Sequence, residues 1–301
     1  MHRACREVSG FESLLSRFER NISILGRSPR TFDSYSRHIA AMALHFQCLP
    51  TDLDPEQVKD YLYLLQNRSK TPSQTYFKHT VYGLRFLLKT EGLPYSHMHL
   101  PEIARPKTLP VILSRQEIWQ MLQAATLLKH KLLIGLLYGC GLSCMEVRGI
   151  ALSDLHYDRQ VLLIRQSKGN KDRYVPLSVH LIRGIQKYIS IEHPKQYLFE
   201  GIGNPEGKGY DGRYSQRGVQ WAVKSVAKEA GILKEVHTHM FRHSFATHLL
   251  EDGVNILSVQ KLLGHASIDS TMVYLHLCQT PDQLPCSPLD KVFAQCSPST
   301  K

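Results

Sequence analysis

Apolar residues recur at three- and four-residue intervals along much of the chain, the spacing that lines one face of an α-helix. Phe11, Leu14, Leu15 and Phe18, followed by Ile22 and Leu25, predict a first helix that Gly26 stops. Thr31 is expected to open a second, turning Tyr35, Ile39, Met42 and Ala43 inward. Asp54-Pro55-Glu56 reads as a cap and a first-turn proline, leading into the stripe Val58, Tyr61, Leu62 and Leu65. A fourth helix is expected from Thr71-Pro72-Ser73 through Tyr82, Leu84, Phe86 and Leu87 to Gly92. Four short amphipathic helices without strands predict a small bundle. Pro101, Pro106 and Pro110 then forbid a continuous helix and favour an extended chain. The expected organisation is therefore a helical domain over 1–99, a linker over 100–110, a second domain over 111–280 and a tail over 281–301.

The second domain mixes periods. Ser114-Arg115-Gln116-Glu117 is a capping-box pattern opening a helix, and Leu132 to Tyr138 is a buried helix ending at Gly139-Cys140-Gly141. Another helix is expected from Met145 to Leu152. Val161-Leu162-Leu163-Ile164 and Arg173-Tyr174-Val175-Pro176-Leu177 read as strands, and the turn formers Ser167 to Asp172 between them as the tip of a β-hairpin bearing lysines. Helices return over Val179–Ile191 and Val219–Ala230, around a glycine-rich loop from Gly201 to Gly218. The expected fold class is mainly α with one small β-sheet.

Composition narrows the function. The 301 residues are 43% hydrophobic and 21% charged, the balance of a globular protein. Lys and Arg number 37 against 26 acids, a net charge of +11, and the excess is positive on both sides of the proline-rich segment, as expected if both domains lie along one polyanion. The uncharged run Leu132 to Met145 is too short to cross a bilayer, so no membrane partner is expected. The first residues lack the apolar core of a signal peptide, and the seven cysteines form no CxxC pair; the protein is expected in the cytosol with reduced thiols. The glycine-rich loop fails as a P-loop, because Ile202 stands where its first glycine is required and Gly209 follows Lys208. No nucleotide cofactor site is expected.

The chemistry concentrates near the C-terminus. His237 to Leu250 reads as a helix capped by Thr238, with Phe241, Phe245, Ala246 and Leu249 as its apolar stripe. His239 and Arg242 share one face of its first turns, where free N–H groups favour an anion. A guanidinium beside an imidazole there suits a phosphate. Leu262-Leu263-Gly264-His265 reads as a helix end with a left-handed glycine cap, after which Asp269-Ser270-Thr271 restarts a short helix carrying Tyr274. The break at Gly264 lets His265 and Tyr274 converge. One phosphate-sized site lined by Lys168, His239, Arg242, His265 and Tyr274 is the expectation. A tyrosine attacking a phosphodiester gives a covalent phosphotyrosine, and cationic side chains can supply the charge without a metal. His239 and His243 also have the spacing of a helical metal pair, but no Glu follows His239 as H-E-x-x-H requires; a zinc hydrolase is the alternative reading.

His239-x-x-Arg242-His243-Ser244-Phe245-Ala246-Thr247-His248-Leu249, then Leu262-Leu263-Gly264-His265 and Tyr274-x-His276, resembles the signature of the tyrosine recombinases, the family of phage integrases, Xer-like recombinases and integron integrases. Lys168 with Gly169-Asn170-Lys171-Asp172-Arg173 resembles the family's β-hairpin, and Gly139-Cys140-Gly141-Leu142 its first catalytic motif. The resemblance spans roughly residues 108–277; the helical part before the linker resembles the core-binding domain more weakly. It implies Tyr274 as nucleophile, Lys168 as general acid, and His239, Arg242 and His265 as phosphate ligands. It also implies a clamp on double-stranded DNA, with four protomers assembled for strand exchange and no metal or cofactor. Lys171 and Arg173 are expected to touch DNA. The tail, with its small cluster Leu289, Val292 and Phe293, is expected to dock on a neighbouring subunit.

The chain departs from the pattern at one place. Ser143 stands where the family has an arginine that clamps the phosphate. Losing one preorganised donor costs about 2.7–4 kcal/mol, roughly 100- to 1000-fold in rate. Arg148 lies about 140° around a helix from that position and is a poor stand-in. Two readings follow: a site-specific recombinase with weakened or lost cleavage, or a non-catalytic DNA-binding relative that occupies recombination sites.

Overall fold

The computed structural model describes residues 1–67, 74–93, 100–101, 109–167, 171–201, 203 and 210–278. The chain divides into two compact units, Met1–Pro106 and Lys107–Lys301. The 100–110 linker, the start of the fourth predicted helix at Thr71 and the tail lie wholly or mostly outside the described residues.

In the first unit the described helices are α1 (His2–Glu7), α2 (Phe11–Ile24), α3 (Pro29–Phe46), α4 (Pro55–Asn67) and α5 (Gln74–Thr90). The helix α1 was not anticipated, because its buried residue is only Ala4 and it carries no stripe. The α3 helix starts at Pro29 and not at Thr31: Ser28 is the cap, accepting the Thr31 N–H at 3.3 Å, and Pro29 takes the first position where a missing N–H costs nothing. Asp54 caps α4 as expected, accepting from the N–H groups of Glu56 and Gln57 at 2.8 and 3.0 Å. The core is built where α3 meets its neighbours. Phe11, Leu14, Phe18 and Ile22 of α2 pack with Ile39, Ala40 and Ala43, while Met42 joins Val58, Tyr61, Leu62 and Leu65 of α4. Arg17 and Arg37 of this unit pair with Glu91 and Asp33.

The second unit holds α6 (Arg115–Ala124), α7 (Leu128–Gly139), α8 (Cys144–Arg148), α9 (Val179–Glu192), α10 (Gln216–Glu229), α11 (Thr238–Glu251), α12 (Ile256–Leu263) and α13 (Asp269–Met272), followed by a 3-10 turn over Val273–His276. Its three-stranded antiparallel sheet runs β1 (Leu155–His156), β2 (Val161–Ser167), β3 (Lys171–Pro176), with Leu162 opposite Val175 and Ile164 opposite Arg173. The fold class is the expected one, mainly helical with one small sheet. The expected helix over Met145–Leu152 is shorter and earlier: α8 ends at Arg148, and the chain turns through a 3-10 segment at Leu152–Asp154 into the unanticipated β1. Among the described residues no helix is long and apolar enough to cross a membrane.

α7 forms the middle of the core, with Leu132, Leu133, Ile134, Leu136 and Leu137 all buried. α11 packs on it and is buried on almost every side: Arg242, Ser244, Thr247 and His248 are enclosed along with Phe241, Phe245 and Ala246. The residues named as an apolar stripe are thus part of a largely internal helix, exposed at His239 and held in part by polar contacts such as Leu113 N–H to Ser244 Oγ at 2.8 Å. Gly141 sets the exit of α7 against α11. Its φ of +60° is the left-handed region, and a Cβ there would lie 2.3 Å from Phe245 Cδ1. Gly141→Ala combines backbone strain with overpacking and is expected to destabilise the protein by about 1–3 kcal/mol. A urea-unfolding midpoint unchanged from that of the parent chain would refute this packing argument.

Candidate active site

The site starts from the junction of α7 and α8. Ser143 is the N-cap of α8: its Oγ accepts from Glu146 N–H at 3.2 Å, and its own N–H donates to Glu146 Oε2 at 2.7 Å. This reciprocal capping box satisfies two otherwise orphaned donors and fixes where the Glu146 carboxylate sits. At the position where the family's pattern has an arginine, this chain therefore has a helix cap.

Glu146 then gathers two guanidinium groups. Arg173 Nη1 donates to Oε1 at 2.6 Å, and Arg242 Nη1 donates to Oε2 at 3.1 Å. Arg242 also donates to Gly141 O at 3.0 Å and, through Nη2, to Leu263 O; Arg173 Nε donates to Leu262 O at 2.7 Å. Both arginine side chains are only 8% exposed. Burial alone would raise the Glu146 carboxyl, but the Arg173 hydrogen bond and the charges of Arg173 and Arg242 hold it below the usual carboxylate range. Burial, reinforced by the charge of Arg173, lowers the pKa of Arg242 against the pull of Glu146.

Arg173, expected near an exposed hairpin tip, is instead turned inward, its guanidinium buried and paired with Glu146. The cause is the pleat: Arg173 sits opposite Ile164, and that residue faces the core. Lys171 opens β3, but its side chain, like all of Lys168, lies outside the described residues. Arg148, judged a poor stand-in for a clamp, is engaged elsewhere, donating to Tyr214 O at 2.8 Å and to both oxygens of Asp211 at 3.1 Å.

A second row of rings runs beside Arg242. His237, not Thr238, takes the cap position of α11, with Thr238 buried as the first helical residue. His239 and His243, one turn apart on α11, meet edge to face with centroids 4.5 Å apart. Tyr274 Oη lies 3.0 Å from His243 Nδ1, and its ring stacks near that of His265 at 6.3 Å. His265 follows Gly264, whose φ of +66° is the expected left-handed cap of α12, and its Nδ1 meets Thr271 Oγ1 at 2.9 Å. The break at Gly264 does bring His265 and Tyr274 together. His239, Arg242, His265 and Tyr274 thus form one cluster, with the Tyr274 hydroxyl directed to His243 rather than to Arg242.

Two members escaped the sequence reading. The spacing of His243 from His239 suggests only a helical metal pair, not a partner for Tyr274. Glu146 carried a legible signal, because Ser143-x-x-Glu146 is the same capping-box pattern recognised at Ser114-x-x-Glu117. Burial, helped by His239, His237, Arg242 and His265, lowers the His243 pKa to about 4, so its ring is neutral at neutral pH. Burial and Arg242 likewise push His239 down, and burial raises the phenol of Tyr274 while Arg242 opposes it. A cavity of about 1090 Å³ lies over Ala151, Asp154, Arg165 and Arg213; it shares Glu146 with the cluster but is not lined by its rings.

Comparison with known proteins decides the family. The model of the phage integrase family matches residues 112–280, and that of the phage integrase N-terminal SAM-like domain matches residues 14–90. The chain belongs to the tyrosine recombinases of the phage integrase family. It is 31% identical over 271 residues to a putative integrase/recombinase, y4qK, of Sinorhizobium fredii, covering 88% of this chain and 84% of that one. It is also 31% identical over 264 residues to the tyrosine recombinase XerA of Thermococcus kodakarensis, covering 87% of this chain and 89% of that one. The structure of the Tn1549 transposon integrase in complex with transposon right end DNA superposes with a TM-score of 0.66 at 15% identity, covering 94% of this chain and 98% of that one, and so has a similar fold.

Two outcomes follow from this geometry. Ser143→Ala removes the α8 cap and is expected to cost about 1 kcal/mol in urea unfolding; no loss would mean that the capping box carries no stability. For His243, folding lowers the pKa from 6.5 to about 4, so the unfolded chain binds a proton that the folded chain does not. The stability that depends on a neutral His243 is full above pH 6.5 and is lost as pH falls toward 4. His243→Phe should flatten this part of the pH dependence between pH 7.5 and 4.5, and an identical pH profile in the variant would contradict it.

Proposed function

We propose that this protein is a site-specific DNA recombinase that cuts and rejoins double-stranded DNA through a 3′-phosphotyrosine on Tyr274. The observation that carries the reading is the convergence of Tyr274 with His239, Arg242 and His265 in a chain that matches the family over both of its parts. In the cleavage step the Tyr274 oxygen bonds to phosphorus as the bond from phosphorus to the 5′-oxygen breaks. Neutral His243 has a ring nitrogen 3.0 Å from the phenol to receive its proton. Lys168 protonates the departing 5′-oxygen, the role that family resemblance gives it. Arg242, with His239 and His265, balances the charge on the phosphorane, the stage at which preorganised donors matter most. The free 5′-hydroxyl of one strand then attacks the phosphotyrosine of a partner, so four protomers complete an exchange. Lys171 and the net positive charge supply contacts with the phosphate backbone.

Ser143 favours a second reading, in which the chain binds its site without cutting it. Both are tested with a duplex selected by the protein from a random-sequence pool and nicked beside the cleavage position to trap the covalent adduct. Adduct formed by the parent chain and abolished in Tyr274→Phe supports the recombinase. Ser143→Arg should raise the rate of adduct formation by about 100-fold. Selective binding without adduct in either the parent chain or Ser143→Arg establishes the non-catalytic reading. Failure to select any sequence overturns both.

A further inference from the structure

We propose that Arg173 serves as a phosphate-binding guanidinium of this chain, a weaker stand-in for the arginine that Ser143 replaces. The inference rests on the recombinase reading above and starts from the acceptors around Arg173. Its Nε is used by Leu262 O and its Nη1 by Glu146 Oε1, while Nη2 is buried and has no hydrogen-bond partner among the described residues. A buried donor on a charged group without an acceptor is uncommon, and a phosphate oxygen is an acceptor that would satisfy it.

Charge counting leads the same way. The Glu146 carboxylate is shared between Arg173 and Arg242, so two buried guanidiniums meet one anion. Nearby acids are otherwise engaged: Asp154 pairs with Arg165, and Asp211 with Arg148 and Arg213. The remaining acceptors are backbone oxygens, Leu262 O for Arg173 and Leu263 O for Arg242, the final carbonyls of α12, where the helix dipole is negative. One carboxylate and two adjacent carbonyls present the pair with the kind of oxygen array that a phosphate presents. These carbonyls immediately precede Gly264 and His265, which sets the His265 imidazole beside the same end of α12.

Position completes the argument. Ser143 N–H holds Glu146 Oε2, and Arg173 holds Oε1 of the same carboxylate. The Arg173 guanidinium therefore reaches within one carboxylate of position 143, whereas Arg148 is tied to Tyr214 and Asp211. Planarity and five N–H groups allow Arg173 to keep Glu146 while offering Nη2 to a phosphate oxygen, which lysine cannot do.

The test is a cycle of Arg173→Lys and Arg173→Gln in the parent chain and in Ser143→Arg, reading single-turnover adduct formation on the nicked duplex alongside urea midpoints. In the parent chain, Arg173→Lys should slow adduct formation by about 100-fold or more. With Ser143→Arg present, the same change should cost less than tenfold, because the restored guanidinium takes over. Equal losses in both backgrounds, following the loss of stability, would make Arg173 a structural partner of Glu146 and overturn the proposal. So would a parent chain that forms no adduct while Ser143→Arg does. Absence of adduct from every variant, Ser143→Arg included, defeats the recombinase reading itself and the proposal with it.

Discussion

The carboxylate of Glu146 receives N–H groups from Ser143, Arg173 and Arg242, and so ties together four stretches of chain: the start of α8, strand β3, helix α11 and, through the arginines, the carbonyl end of α12. Two buried guanidiniums without that anion would carry a heavy desolvation cost, and the anion without them would be protonated or exposed. The arrangement of the site follows from this. Arg242 is held by Glu146, Gly141 and Leu263, so the end of α12, and with it His265, is located by the same ion pair.

Tyr274 is placed by a different principle. It is 3% exposed, its hydroxyl is on His243, and it rides on a 3-10 turn packed against α11. A neutral imidazole, kept so by burial and by neighbouring cations, gives the phenol a partner without placing another charge beside Arg242. The cluster thus separates into an ion-paired half organised by Glu146 and a half organised by ring contacts, with Arg242 adjoining both.

Ser143 shows how a single position can change its role. An arginine at the first residue before a helix can project charge, whereas a serine at the same place satisfies the helix end. At the position where the family resemblance implies a cation, this chain has a cap, and the capping partner is the very carboxylate that organises Arg173 and Arg242.

The sequence by itself determined the elements whose signals are local. The capping box at Ser114, the Asp54-Pro55 start of α4, the stripe of α4 and the left-handed Gly264 all depend on residues within a turn of one another, and the ordered motifs around His239, Arg242, His265 and Tyr274 marked the cluster. Tertiary structure decided what depends on distant partners. Arg173 reads as a tip cation until the pleat opposite Ile164 turns it inward. α11 reads as amphipathic until α7, α12 and the terminal turn cover its polar side as well. The bond between Tyr274 and His243 spans residues that no short-range pattern links. Backbone propensities and caps act over a few residues, whereas burial and ion pairing are set by which segments the fold brings together, and that is where the chemistry of this site is decided.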